Sequence, residues 1–268
     1  MDEMTVRMRE TAEEAGRLLV EKLDKPHSIE GKEGREFLTE ADLESQALIR
    51  ERLASFYPDV LFVGEEDDGT GNDGRDGRAY WLVDPLDGTA NYEHGYPFFS
   101  VSIAFVDREG VAAGCVHDPI RLESFVASRG RGAELHSTNP GGAAGVSPVR
   151  VGRAGSLDES LLATGFPYRR TPEDLGFDIR PLLYFLGRAR GIRRAGSAAL
   201  DLCHVACGRL DGFWEEHLRP WDMAAGVLIV QEAGGIVLGW GKMPWSTDSS
   251  GVVAAAPGIM EEMLAGIP

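Results

Sequence analysis

Long apolar runs are missing from this chain of 268 residues, and no stretch approaches the length that a membrane-spanning helix needs. Cysteine is scarce. Three cysteines, an odd number, argue against a disulfide framework. Cys203 and Cys207 fall on an expected helix, where they read as two small apolar residues of one buried face. Positive charge is also short: 27 Lys and Arg against 43 Asp and Glu leave a formal net charge of −16. That balance argues against a nucleic-acid or anionic-membrane surface, since both need basic patches. The start, Met1-Asp2-Glu3-Met4, is acidic and unlike a signal peptide. A protein of a reducing compartment, the cytoplasm, is therefore expected. No internal repeat or low-complexity tract is visible. The apolar content of 43% is that of a globular protein, and the length allows one large domain or two small ones.

What the chain does have is a run of carboxylates at strand ends. Its centre is Trp81-Leu82-Val83-Asp84-Pro85-Leu86-Asp87-Gly88-Thr89. The apolar run Tyr80–Val83 reads as a strand that stops at Asp84-Pro85, because Pro85 fixes its own φ and pushes Asp84 towards an extended conformation. Asp87-Gly88 reads as a turn. Two carboxylates are thus held on a stiff bend, which suits a hard cation such as Mg²⁺ with its oxygen ligands. A helix beginning at Gly88 or Thr89 would add an anion site beside the cation site. The competing reading is that Asp-Pro and Asp-Gly are ordinary turn dipeptides.

Around this centre, residues 2–23 read as an amphipathic helix and Asp24–Glu36 as a polar loop. Thr39-Glu40-Ala41-Asp42 resembles a capping box, opening a helix that runs to about Phe56. Asp42 is then either a first-turn acid that complements the helix dipole or a site residue. Val60–Val63 reads as a strand ended by Gly64-Glu65-Glu66-Asp67-Asp68. Four consecutive acids form either a solvated loop or a cation site. If this strand neighbours Tyr80–Val83, the acids of both meet at one end. Gly69–Gly77 is rich in Gly and Asp. Phe98–Val106, Val111–His117, Ser124–Ala127 and Ala133–His136 read as an antiparallel meander. Thr138–Ser147 reads as the boundary between an N-terminal α+β half (1–145) and a C-terminal half (146–268).

The second half alternates strands and helices: Leu161–Thr164, Ile179–Ala189, Gly191–Arg194, Ala198–Gly208, Gly212–Glu215, Trp221–Ala233, Ile236–Leu238, Val252–Ala255 and a helix from Ile259. Such alternation implies an α/β layered half. Asp222 opens an apolar helix closed by Gly234-Gly235, and reads as a helix-start acid or a site acid. Glu215 ends an aromatic strand, as an acceptor for a polyol or as a solvated strand-end acid.

Taken together, Trp81–Tyr92, Trp221-Asp222-Met223-Ala224-Ala225-Gly226 with Glu232-Ala233-Gly234-Gly235, Val63-Gly64-Glu65-Glu66, Thr39-Glu40-Ala41-Asp42 and Arg194-Ala195-Gly196-Ser197-Ala198-Ala199 resemble the inositol monophosphatase family. That family belongs to the lithium-sensitive, magnesium-dependent phosphatase superfamily. The motifs span nearly the whole chain, in the family's order. The resemblance implies a layered αβαβα sandwich of α/β (α+β) class, with an antiparallel sheet in the N-terminal half, and a homodimer. It implies two to three Mg²⁺ ions. Glu65, Asp84 and the Leu86 carbonyl resemble ligands of a first ion, and Asp84, Asp87 and Asp222 those of a second. A third ion also uses Glu65. Asp42 and Thr89 resemble the pair that positions and deprotonates the attacking water, so Asp42, Thr89 and Glu65 are the catalytic set. Gly88 and Thr89 resemble backbone donors to phosphate. Gly196, Ser197, Ala198 and Glu215 match positions that contact a sugar or polyol, and Asp87 and Asp222 border the same substrate. Ala163–Arg169 is similar to bacterial members and puts Tyr168 or Arg169 near the substrate rim. Lys32 lies near a lysine of many relatives, but the charged loop Glu33–Glu36 leaves it without an assigned role. The expected activity is Mg²⁺-dependent hydrolysis of a small phosphate monoester. The run Asn91–Phe99 resembles the inositol-phosphate branch, with fructose 1,6-bisphosphate, histidinol phosphate, NADP or adenosine 3′,5′-bisphosphate as alternatives. A non-catalytic metal- and phosphate-binding regulator is the reading of another class.

Overall fold

Apolar residues every three or four positions make α1 (Glu3–Lys22) an amphipathic helix, and its Met8, Ala12, Ala15 and Leu19 are fully buried. Asp2 caps it, its carboxylate accepting from Thr5 N at 3.0 Å. The computed structural model describes residues 2–23, 29–31, 37–67, 77–138, 144–167, 171 and 174–268, with the backbone alone for 29–31, 37 and 38. Lys32, Asp68, Tyr168 and Arg169 lie outside the described residues. A short antiparallel pair, β1 (Ile29–Gly31) and β2 (Phe37–Thr39), leads into α2 (Glu40–Phe56). Asp42 reaches back from the first turn of α2 to Thr39 N at 2.9 Å, so the expected capping pattern is present.

The next strands follow in order: β3 (Leu61–Gly64), β4 (Tyr80–Asp87), β5 (Ser100–Asp107), β6 (Gly110–Asp118), β7 (Glu123–Ser128), β8 (Ala133–Thr138) and β9 (Ala144–Pro148). The short helix α3 (Thr89–Glu93) separates β4 from β5. Among the described residues these strands form one seven-stranded sheet in sequence order. It is antiparallel except at its edge, where β3 runs parallel to β4. The second half supplies β10 (Leu161–Thr164), α4 (Arg180–Leu186), β11 (Gly191–Arg193), α5 (Ala198–Ala206), β12 (Gly212–Glu216), α6 (Pro220–Glu232), β13 (Ile236–Gly239), β14 (Gly251–Ala255) and α7 (Met260–Gly266). Its five strands, ordered β11-β10-β12-β14-β13, form a mixed sheet.

Helices α1 and α2 cover one face of the larger sheet, α5 and α6 fill the space between the sheets, and α7 and α4 cover the far face of the smaller sheet. The layers therefore run α, β, α, β, α, as expected. Helix α6 is apolar all round, with Met223 to Val230 buried, because it touches both sheets. Cys203 is fully buried on α5 and Cys207 half-buried after it, and neither forms a disulfide.

Ile29–Gly31 forms a paired strand inside the stretch read as a polar loop, and two further details differ from expectation. The strand does not stop at Asp84-Pro85. It continues to Asp87, with a register shift between Asp84 and Asp87. A bulge accommodates a proline that has no N–H for the ladder, so Pro85 bends the strand without ending it. Within the stretch read as the boundary, Ala144–Pro148 is an exposed edge strand paired with β8. Its small, polar composition carries no period-two signal, and ladder hydrogen bonds hold it instead.

At Gly114 on β6, a Cβ would stand 2.9 Å from both the Cα and the carbonyl oxygen of Ala225 on α6. Backbone against backbone cannot give way, so Gly114→Ala pushes α6 off the sheet. We expect a loss of about 1–3 kcal/mol, read as a fall in Tm. Gly155→Ala, where a Cβ meets nothing within 4 Å, leaves Tm unchanged.

Candidate active site

Parallel pairing puts the C-terminal ends of β3 and β4 side by side. Gly64 faces Val83, and Glu65 N extends the ladder to Val83 O at 3.0 Å. Glu65 therefore stands next to Asp84. The rest of the acid run has other work. Asp67 turns back to accept from Gly64 N at 2.9 Å and pairs with Arg50. The Gln46 side chain takes Glu66 N at 3.1 Å and reaches Asp67 at 3.2 Å. The charge run thus divides: Asp67 is a loop brace, and Glu65 joins the strand-end acids.

On the bend of β4, Asp84 Oδ1 accepts from Leu86 N at 3.0 Å, and Ser45 on α2 ties down Pro85 O at 2.9 Å. Asp87 points the other way, to the start of α5. Its Oδ2 accepts from Ser197 Oγ at 2.5 Å and Ala199 N at 2.9 Å, with Ser100 Oγ at 3.5 Å. Ser197 is the N-cap of α5 and is 1% exposed, so its hydroxyl serves Asp87 and the helix start. Asp222 occupies the first turn of α6 and accepts from Arg219 N at 2.8 Å. Trp221 O, one residue earlier, is held by Ser102 of β5 at 3.2 Å. Two sheets and two helices converge here.

The electrostatics are those of a crowded anionic centre. Burial raises the Asp84 carboxyl well above the usual range, and Glu65, Asp87 and Asp222 raise it further. Burial, then Glu65 and Asp87, do the same to Asp222. Asp87 is pushed up to about 6 by burial, against the hydrogen bonds from Ser197 and Ala199. A stable fold that holds several desolvated carboxylates against one another calls for a compensating cation. The donor set, carboxylates plus the Leu86 carbonyl, consists of hard oxygen ligands. Among the described residues, no three His, Cys, Asp or Glu side chains form a preformed cation cage. Mg²⁺ does not require one, since it keeps several waters and takes one or two carboxylates. The residues fit such an ion.

Beside the acids, Thr89 Oγ1 lies 3.1 Å from Leu86 O and 3.3 Å from Asp42 Oδ1. Asp42 is fully buried, and its other oxygen accepts from Thr39 Oγ1 at 2.5 Å. The Asp42–Thr89 pair, 47 residues apart in sequence, is thus assembled by the fold. Gly88 caps α3 with φ 98°, a left-handed conformation that favours glycine. A Cβ there would stand 3.1 Å from Phe98 O and 3.2 Å from Gly196 O, so the two motif loops touch through backbone. Asn91 clamps them, its Nδ2 donating to Phe98 O at 2.7 Å and Ala195 O at 2.9 Å. At the end of β12, burial pushes the Glu215 carboxyl up to about 8.

Asn91, Ser100 and Ser197 had no assigned contact with the acids in the sequence. Ser197 could have been found as an N-cap before an apolar helix. Nothing in the sequence marks the Ser100–Asp87 approach.

Metal and pH should be linked. Between the unfolded carboxylate value of 3.8 and about 6, the folded chain binds more protons than the unfolded chain through Asp87. This contribution makes the metal-free protein less stable as pH rises through that window. A divalent cation must displace the same protons, so its stabilisation grows as pH rises. We expect the Tm gain from saturating Mg²⁺ to be larger at about pH 8 than at about pH 5. A gain independent of pH would contradict this.

These features have counterparts in known proteins. The chain matches the inositol monophosphatase family over residues 1–267. It is 42% identical over 230 residues to Nus factor SuhB of Pseudomonas aeruginosa, covering 84% of this chain and 81% of that protein. It is 40% identical over 228 residues to an inositol-1-monophosphatase of Synechocystis, covering 85% and 75%. Among solved structures, extragenic suppressor protein SuhB of Bartonella henselae superposes with a TM-score of 0.88 at 34% identity, covering 99% of this chain and 98% of that one. The Thermotoga maritima IMPase superposes at 0.82 with 32% identity, covering 96% and 94%. The chain belongs to the inositol monophosphatase family and is a phosphoric monoester hydrolase.

Proposed function

We propose that the substrate is inositol monophosphate and that hydrolysis depends on Mg²⁺. The observation that carries this reading is the placement of the buried Asp42–Thr89 hydrogen bond beside the acids Glu65, Asp84, Asp87 and Asp222. Glu65, Asp84, the Leu86 carbonyl, Asp87 and Asp222 would hold the ions. Bound there, Mg²⁺ would supply water of lowered pKa and charge neutralisation for the phosphoryl oxygens.

The chain's own groups supply position and proton handling. Thr89 has one hydroxyl proton, which Asp42 and Leu86 O both compete to accept. Its lone pairs remain for the proton of the attacking water. Asp42 is the acceptor at the end of that relay. Backbone N–H groups of Gly88 and Thr89 orient the phosphate at the start of α3. The Gly196–Ala198 turn and Glu215 face the alcohol half of the ester. Ser100, Ser197 and the α5 start fix Asp87, which keeps one carboxylate oxygen for the site.

Several relatives carry the name Nus factor SuhB rather than that of an enzyme. A purely regulatory role would not require Asp42 to hold Thr89, and here that pair is intact.

The test is phosphate release from inositol 1-phosphate with and without Mg²⁺, beside fructose 1,6-bisphosphate, histidinol phosphate and adenosine 3′,5′-bisphosphate. Preference for the inositol ester, lost on chelation, is the expected result. Preference for another ester would remove the substrate assignment. Asp84→Asn and Asp222→Asn abolish turnover in folded protein. Thr89→Ala lowers kcat by roughly a hundredfold.

A further inference from the structure

One charged group beside the site takes no part in the mechanism above. Arg194 follows β11 and makes no hydrogen bond or ion pair with any described residue. Its position is nonetheless defined. The guanidinium lies over the ring of Phe166, 5.9 Å from the centroid, and Phe166 stacks on Phe177 at 5.0 Å. Its Nη1 is 2.6 Å from where a Cβ would sit at Gly196, so it rests on the turn that leads into α5. Gly196, with φ 92°, leaves that space open.

Glu215 is seated next door. Its carboxylate fills the place of the missing side chain at Gly165, where a Cβ would lie 2.0 Å from either oxygen. Gly165 and Phe166 are consecutive, so Glu215 over the one and Arg194 over the other stand side by side, with no ion pair joining them. A carboxyl acceptor and a planar donor fork that are not paired with each other, the fork resting on the Gly196 turn, suit neighbouring hydroxyls. One hydroxyl donates to Glu215 and the next accepts from Arg194.

We propose that Arg194 is a specificity-determining residue that donates to hydroxyls of the leaving polyol beside Glu215. The proposal rests on the phosphomonoesterase reading and names the alcohol that the site selects.

The experiment compares kcat and KM of the full-length protein and its Arg194→Ala and Arg194→Lys variants on two esters. One is inositol 1-phosphate. The other is 4-nitrophenyl phosphate, whose alcohol half has no further hydroxyls. In Arg194→Ala, the ratio of kcat/KM for the inositol ester to that for the aryl ester falls roughly tenfold, as expected for one lost charge-assisted hydrogen bond. The change lies in KM. Arg194→Lys recovers part of the ratio, because an ammonium replaces the charge but not the fork. Equal losses on both esters or an unchanged ratio in Arg194→Ala would overturn the proposal. Wild-type turnover of the aryl ester without preference for the inositol ester would overturn it while leaving the hydrolase intact. Turnover of neither ester by folded, Mg²⁺-loaded protein would remove the functional reading as well.

Discussion

Four carboxylates, Glu65, Asp84, Asp87 and Asp222, lie within electrostatic reach of one another, with Asp84 and Asp87 buried. Like charges in a desolvated centre repel strongly, and only a rigid frame or a cation can hold them. Much of the surrounding architecture serves as that frame. Parallel pairing of β3 with β4 sets Glu65 beside Asp84. The bulge at Pro85 turns Asp84 and Asp87 to different neighbours without breaking the strand. Ser45 and Ser102 fasten the bend and the start of α6 to adjoining elements.

Asp87 joins the two halves of the molecule. It belongs to the larger sheet, yet its carboxylate caps the start of α5, which packs against the smaller sheet. Asn91 repeats the link through backbone carbonyls on both sides. The left-handed Gly88 lets those backbones approach at a distance that a side chain would forbid. The turn at Gly88 and the turn at Gly196-Ser197 are therefore held at a fixed separation by short polar contacts. That is the kind of preorganisation that phosphoryl transfer asks of a protein.

Glycine acts elsewhere in the same way. Gly114 admits the backbone of α6 against β6, which brings Asp222 to the ends of the strands. Gly165 makes room for the Glu215 carboxylate. Each marks a place where two distant segments come too close for a Cβ. In sequence these residues look like any loop or strand glycine.

The sequence alone determined where most helices and strands lie. Capping at Thr39 and Asp42, helical periodicity in α1 and apolar runs in β4 and β6 depend on neighbours within a few positions, and local order is legible locally. The layered fold followed from motifs in family order. Tertiary structure alone decided what each acid does. Asp67 and Glu65, two positions apart, became a loop brace and a member of the acid centre because one met Arg50 and the other met the end of β4. The edge strand β9, the bulge that carries β4 past Pro85, and the meeting of Asp42 with Thr89 all depend on partners tens of residues away. The sequence names those partners but holds no signal of their proximity, because closing such loops is decided by the packing of the whole chain.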